Sequence, residues 1–140
     1  LVGDGELFDC IKEHIDKLNI SDAVIMTGSK QNTEDYYQVM DIFVFPSLWE
    51  GLPVSVVEAQ ANGLQCLISD VITHDVDLTD LIQYLPLDEE LWLGAIVEAH
   101  KKKRMGLTNE NIQRLQPFDA LTVANKLQEF YLKQDERARR

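Results

Sequence analysis

The sequence predicts an α/β fold in which a parallel sheet is flanked by helices. Three observations predict it. Short apolar runs of strand length, above all Ile42-Phe43-Val44-Phe45 and Cys66-Leu67-Ile68, alternate with longer amphipathic stretches. The runs lack the in–out alternation of a half-exposed sheet, which marks strands covered on both faces. Turn residues close several of the runs, at Gly3-Asp4-Gly5, Thr27-Gly28-Ser29 and Pro46.

Each element follows from local pattern. Leu1-Val2 reads as the tail of a strand that ends in Gly3-Asp4-Gly5. A helix follows with Leu7, Cys10, Ile11, Ile15 and Leu18 on one face and Glu6, Lys12, Glu13 and Lys17 on the other. Ala23 to Met26 reads as a second strand. Thr33, with acidic Glu34 and Asp35, starts a helix that runs to about Met40. Ile42–Phe45 is a strand expected to be buried on both faces. Pro46 to Leu52 is a loop, Pro53 is placed as the first helical residue, and that helix closes at Asn62-Gly63. Cys66 to Ile68 is another buried strand. A short strand is expected near Tyr84, then helices from about Asp88, Thr108 and Phe118. The last carries Leu121, Ala124, Leu127, Phe130 and Tyr131 as its stripe, with a frayed tail after Lys133. Strands alternating with helices in this way make βαβ units and a doubly wound, Rossmann-like layer. We divide the chain into a partial ligand-binding domain over 1–117 and a C-terminal helix and tail over 118–140. Ligands of such sheets sit beyond the carboxyl ends of the strands. That rule selects Gly3 to Gly5, Gly28 to Asn32 and Pro46 to Leu52.

Composition narrows the function classes. A net charge of -11 excludes a broad basic surface for nucleic acid. Lys101-Lys102-Lys103-Arg104 reads as a solvated helix end, with peripheral contact to an anionic membrane as the alternative. No stretch approaches the ~20 apolar residues of a spanning helix. Cys10 and Cys66 both read as buried thiols of a reducing cytosol, without companions at metal-ligand spacing. The chain lacks an initiator Met and a signal peptide and reads as a piece of something longer, cytoplasmic or at the inner face of the membrane.

Two segments carry candidate chemistry. Gly3-Asp4-Gly5 follows a strand and precedes a helix, so it is either a plain tight turn or a contact for a phosphate or sugar. It is not the dinucleotide fingerprint, because Phe8 stands where a third glycine belongs. The second segment runs from Phe43 to Gly63. Glu50 precedes a helix mouth and Glu58 lies five residues past Pro53, so Glu58 sits roughly 7–8 Å beyond the mouth. A diphosphate resting on the free N–H groups of the mouth would leave Glu58 one ribose away, where a carboxylate can accept from two hydroxyls. Glu50 would face the group at the other end of the diphosphate, and Gly51 would permit its close approach. The competing reading makes Glu50 a solvated loop acid and Glu58 a surface helix acid. Against that, Val54, Val56, Val57, Ala59 and Ala61 make the helix apolar nearly all round, and a carboxylate there needs a partner.

Glu50 and Glu58, eight apart and framing Gly51-Leu52-Pro53, resemble the E-x7-E signature of retaining GT-B glycosyltransferases. More closely, the chain is similar to the donor-binding C-terminal domain of the family that builds capsular and other surface polysaccharides. Val2 to Leu7, Val24 to Gly28, Tyr36-Tyr37, Met40 to Ser47, and Ala61-Asn62-Gly63-Leu64 leading to Ser69-Asp70 extend the likeness over about residues 1–85.

The resemblance implies a UDP-, GDP- or ADP-sugar donor, no cofactor and no metal. It also implies transfer with retention to a glycan or lipid-linked acceptor, and a separate N-terminal acceptor domain. By position, Glu58 would bind the ribose and Glu50 the hydroxyls of the donor sugar. The amides of Gly51, Leu52, Pro53 and Val54 would serve the sugar and diphosphate, as far as each residue has one. The Gly3-Asp4-Gly5 loop would join them, and the main chain near Ser29 and Lys30 would meet the base. Glu50 is the catalytic-site residue, as an orienting group.

Departures limit what the fragment can do. The family's Arg and Lys that grip the diphosphate lie ahead of the glycine loop, and this chain begins after that point. Gln65 stands where a proline is common. His14, His74 and His100 fall on helical or loop positions and read as structural or solvated. The leading expectation is an enzyme fragment inactive alone. The alternative is a non-catalytic sugar-nucleotide-binding or partner module that needs a second chain. A sugar-nucleotide epimerase fits the Glu50-Gly51-Leu52-Pro53 context poorly, and a nicotinamide-binding domain lacks its fingerprint.

Overall fold

A computed structural model describes residues 1–138. In chain order it contains α1 (Phe8–Lys17), α2 (Thr33–Val39), β1 (Ile42–Phe45), α3 (Val54–Ala61), β2 (Gln65–Ser69), β3 (Ile82–Leu85), α4 (Glu89–His100), α5 (Asn109–Leu115) and α6 (Ala120–Ala138). Single 3₁₀ turns occupy His74–Val76 and Gln116–Phe118. The chain divides into two compact units, Leu1–Tyr36 and Tyr37 onward, with the boundary inside α2.

In the first unit the chain packs one helix against extended segments. The Leu1 amino group donates to the Ile25 carbonyl at 2.7 Å, and Thr27 N–H donates to the Leu1 carbonyl at 3.0 Å. Gly3 N–H then reaches the Gly28 carbonyl at 3.0 Å, an isolated antiparallel bridge. These bonds are too few for strands, so the strands expected at Leu1-Val2 and Ala23–Met26 are not formed. Gly3, at φ 137°, turns the first segment away before a ladder can extend. α1 begins near the expected place, but only Ile15 of its stripe is buried. Cys10 is exposed, which corrects the expectation of a buried thiol: nothing within this unit covers the outer part of the apolar face.

The second unit contains the sheet. Its order is β1-β2-β3, all parallel, with Phe43 opposite Cys66 and Cys66 opposite Ile82. Successive side chains of a strand point to opposite faces. Cys66 and Ile68 therefore join Val56, Val57 and Ala59 of α3 on one face, while Leu67 meets Trp92 and Ala99 of α4 on the other. This is the two-sided covering that the apolar runs predict. Each fully buried Leu or Ile contributes about 1.5–3 kcal/mol, and Leu64, Leu67 and Ile68 are all at 0% exposure. β1 departs from expectation. It is one of the two edge strands, paired on one side only, and Val44 remains exposed.

The carboxyl end of α3 is closed twice. Gly63 N–H donates to Gln60 O at 2.8 Å and Leu64 N–H to Ala59 O at 3.1 Å, a Schellman motif with Gly63 at φ 72°. Gln60 itself is fully buried: its amide donates to Val56 O (3.2 Å) and Val76 O (2.9 Å) and accepts from the Thr79 hydroxyl at 2.9 Å. Arg104 adds a clamp, donating to Gln38 O at 2.8 Å and to Asn62 O through Nε at 3.1 Å. Its guanidinium thus satisfies carbonyls at the carboxyl-terminal ends of both α2 and α3, where positive charge is favoured. Arg104 is therefore not a free member of the basic cluster, and Lys101 pairs with Glu98 at 2.5 Å. Downstream, α4 and α5 begin where the sequence predicts, and Asp88 and Thr108 cap them as side-chain acceptors. α6 is helical through Ala138, beyond the expected fraying point at Lys133. Its apolar residues Leu121, Leu127, Phe130 and Tyr131 are exposed.

Gly63→Ala tests the closure of α3. The added Cβ would lie 3.1 Å from the Met105 carbonyl, in a backbone region unfavourable to L side chains. A stability loss of about 1–3 kcal/mol in urea denaturation is expected; an unchanged midpoint would contradict it.

Candidate functional site

Glu50 and Glu58 both lie in the second unit, on either side of the amino end of α3. The loop 46–52 leaves the carboxyl end of β1, the position at which open α/β sheets bind ligands. Within it the Ser47 hydroxyl donates to Glu50 Oε1 at 3.0 Å and lies 3.3 Å from the Trp49 carbonyl oxygen. Glu50 is half-buried and held by this bond. Beside it, Trp49 and Leu48 are largely exposed at 82% and 78%. Gly51 stands in open space, since an added Cβ would meet no protein atom within 4 Å. What a side chain there would obstruct is approach from outside.

Pro53, expected as the first helical residue, is instead the N-cap of α3, so the helix begins one position later, at Val54. It supplies no side-chain acceptor, so no cap closes the helix mouth, and no acidic residue lies in the first turn. Val56 N–H is taken by Pro53 O at 3.0 Å. The N–H groups of Val54 and Ser55, ahead of it, make no hydrogen bond among the described residues. Unpaired N–H groups at a helix amino end, aligned with its dipole, form an anion site.

Glu58 lies farther along the same helix and is exposed, although Val57 and Ala59 beside it are buried. Its exposure removes the expected need of a buried carboxylate for a partner, yet it has one: the Tyr37 hydroxyl donates to Glu58 Oε2 at 3.0 Å. Tyr37 is 6% exposed, with its ring edge-on to Phe43 at 5.8 Å. Burial and then the Glu58 carboxylate push the Tyr37 phenol well above its usual range. Val54, Val57, Glu58 and Ala61 share one face of α3 and line a groove of about 940 Å³, closed opposite by Ile112, Leu115, Phe118 and Asp119. Asp119 accepts from Thr122 N–H at 2.7 Å, and this bond lowers its pKa.

The remaining candidates lie in the first unit. The Asp4 carboxylate accepts from Gly5 N–H at 2.9 Å, and Gly5 O accepts from Phe8 N–H at 3.0 Å, so this loop partly satisfies itself. It lines a pocket of about 270 Å³ together with Leu1, Phe8 and Met26. Ser29 and Lys30 are exposed, and Lys30 makes no ion pair among the described residues. Among the described residues no three His, Cys, Asp or Glu side chains gather into a metal-binding group. His14 and His100 occupy the last turns of α1 and α4, and the His74 ring lies tilted against Tyr84 at 4.1 Å.

Comparison with known proteins decides the family. Residues 1–76, more than half of the chain, match the family described as glycosyl transferases group 1. The chain belongs to that family. EpsF of Bacillus subtilis is 42% identical over 102 residues, covering 71% of this chain and 27% of EpsF. An Escherichia coli relative, named UDP-Gal:alpha-D-GlcNAc-diphosphoundecaprenol alpha-1,3-galactosyltransferase, is 26% identical over 140 residues, or 94% of this chain and 36% of its own length. Among solved structures, the lipopolysaccharide outer core galactosyltransferase WaaB superposes with a TM-score of 0.69 at 20% identity, covering 94% of this chain and 40% of WaaB. That likeness confirms the fold, a Rossmann-like part of a GT-B architecture. The glycosyltransferase group 1 chain thus spans between about a quarter and two fifths of the length of these relatives. No helix among its described residues is long and apolar enough to cross a membrane.

Residue patterns alone did not assign roles to Ser47 and Tyr37. Ser47 could have been found from its spacing, three residues before Glu50. Tyr37 lies 21 residues from Glu58, and only the packing of α2 on α3 brings them together.

The raised groups give a pH prediction with a definite sign. Burial pushes the Cys66 thiol up to about 12 from 9.0, and Tyr37 rises from 10.0. The folded chain therefore holds protons that the unfolded chain has lost, so stability is full below pH 9 and falls as pH rises through about 9 to 12. Denaturation midpoints should show this decline, and Cys66→Ala should make it shallower.

Proposed function

We propose that this chain is the donor-binding part of a retaining glycosyltransferase that takes a sugar from a UDP-, GDP- or ADP-sugar. The acceptor is a glycan or a lipid-linked glycan of polysaccharide biosynthesis, held by an acceptor half outside this chain, at the cytoplasmic face of the membrane. The observation that carries the reading is the open mouth of α3, with one carboxylate ahead of it and another beyond it. The diphosphate rests on the N–H groups of Val54 and Ser55. Glu58, three to four residues farther along and so roughly 4.5–6 Å from them on the axis, accepts from the ribose hydroxyls. Glu50, oriented by Ser47, accepts from the donor sugar. The Gly3-Asp4-Gly5 loop and Gly51 admit the ligand close to the backbone, and Ser29 and Lys30 meet the base.

In this reading the rate enhancement is electrostatic. Charge grows on the leaving diphosphate as the glycosidic bond breaks, and fixed dipoles at the helix mouth stabilise it without reorganising. Glu50 positions the sugar and forms no covalent bond with it. No metal or cofactor takes part. The two carboxylates repel the anionic donor, which makes the dipole and the cations supplied from outside this chain necessary. The exposed apolar residues of α6 support the need for a further protein surface.

Calorimetric titration with UDP-, GDP- and ADP-sugars, and with the bare nucleotides, tests the division of labour in the chain joined to its acceptor half. Glu58→Ala should weaken the nucleotide itself by about tenfold or more, the worth of one charge-assisted hydrogen bond. Glu50→Ala should matter only when the sugar is attached. Nucleotide affinity indifferent to Glu58→Ala would refute the ribose assignment. The isolated chain should bind weakly or not at all.

A further inference from the structure

A glutamate on a helix surface has three rotatable side-chain bonds, and ordering it against a ligand costs up to about 2 kcal/mol of entropy. A carboxylate that is already oriented avoids much of that cost. Glu58 is such a group. Its Oε2 accepts from the Tyr37 phenol at 3.0 Å, and the Tyr37 ring is fixed by burial. Phe43 meets that ring edge-on at 5.8 Å and is itself stacked on Phe45 at 5.8 Å. The helices that carry the pair are further tied by Arg104, which bonds Gln38 O of α2 and Asn62 O at the end of α3.

The nature of the partner matters as much as its rigidity. A Lys or Arg in place of Tyr37 would neutralise the carboxylate and compete with a ligand for it. A phenol is neutral and donates one hydrogen. It fixes one oxygen of Glu58 while leaving the charge in place. Oε1 makes no hydrogen bond or ion pair among the described residues, and Glu58 as a whole is exposed on the face that lines the groove. An ionised carboxylate has about four acceptor sites, so one bond to Tyr37 leaves room for both hydroxyls of a cis-diol.

We propose that Tyr37 is a positioning residue that presets Glu58 for the ribose cis-diol of a nucleoside diphosphate. This rests on the assignment of Glu58 to the ribose. The competing explanation is that Glu58 merely satisfies a buried tyrosine hydroxyl.

The two are separated by the affinity ratio of a nucleoside diphosphate to its 2′-deoxy counterpart. UDP, GDP and ADP are each paired with the deoxy form, using the chain together with its acceptor half. The ratio should fall about three- to tenfold in Tyr37→Phe, the range expected for losing one hydrogen bond and its preorganisation. In Glu58→Ala the ratio should collapse, and adding Tyr37→Phe should change nothing further. A ratio untouched by Tyr37→Phe but collapsed by Glu58→Ala overturns the positioning role and leaves the ribose assignment intact. A ratio untouched by Glu58→Ala overturns both. If Tyr37→Phe does not fold, Tyr37→3-fluorotyrosine keeps the ring and makes the phenol a stronger donor. It should then raise the ratio, and no change would count against the proposal.

Discussion

The site depends on an asymmetry in one short helix. α3 is fastened at its carboxyl end by a Schellman turn, by the buried amide of Gln60 and by Arg104, while no side chain closes its amino end. An unclosed helix end leaves backbone dipoles unsatisfied, which is unfavourable unless water or a ligand meets them. Closure at the far end keeps the mouth from shifting, because Val56, Ala59 and Gln60 are locked into the core at 0% exposure. The same eight residues therefore form core on one side and, in the proposed function, a ligand platform on the other. Their sequence, apolar nearly all round with a single acid, is the imprint of both duties.

That imprint explains what was legible in the sequence and what was not. Ile42–Phe45 and Cys66–Ile68 announced strands because apolar runs of that length have few other uses in a chain of this composition. Asn62-Gly63 announced the end of α3 because only glycine adopts its backbone geometry without strain. Helices were expected from about Asp88 and Thr108, and the structure shows their side-chain oxygens capping those helices. Ala23–Met26 misled, since its apolar character suits a strand but only isolated bonds with Leu1 and Gly3 pair it. Cys10 misled for a related reason: an amphipathic face predicts burial only where something within the fold covers it. The edge position of β1 was also invisible, because strand order is a long-range property that no local pattern encodes.

For the site, the positions of Glu50 and Glu58 were readable and their surroundings were not. The sequence argued that Glu58 needed a partner because its neighbours are buried. The structure supplies one, yet Glu58 is exposed, so the bond to Tyr37 orients the carboxylate rather than rescuing it from burial. Ser47 treats Glu50 in the same way. Two carboxylates, each held by one neutral hydroxyl, keep their charge and gain a direction. Such groups suit hydroxyl-rich ligands, since a sugar or ribose offers donors that a carboxylate accepts. They suit a diphosphate poorly, which is why the helix mouth between them is central to the account.

The most direct test is a crystal structure of the chain with its acceptor half and an intact nucleoside-diphosphate sugar. The account predicts diphosphate oxygens about 3 Å from the amide nitrogens of Val54 and Ser55, ribose hydroxyls at a similar distance from Glu58, and sugar hydroxyls on Glu50. A diphosphate bound away from the amino end of α3, or a ribose that does not touch Glu58, would contradict it.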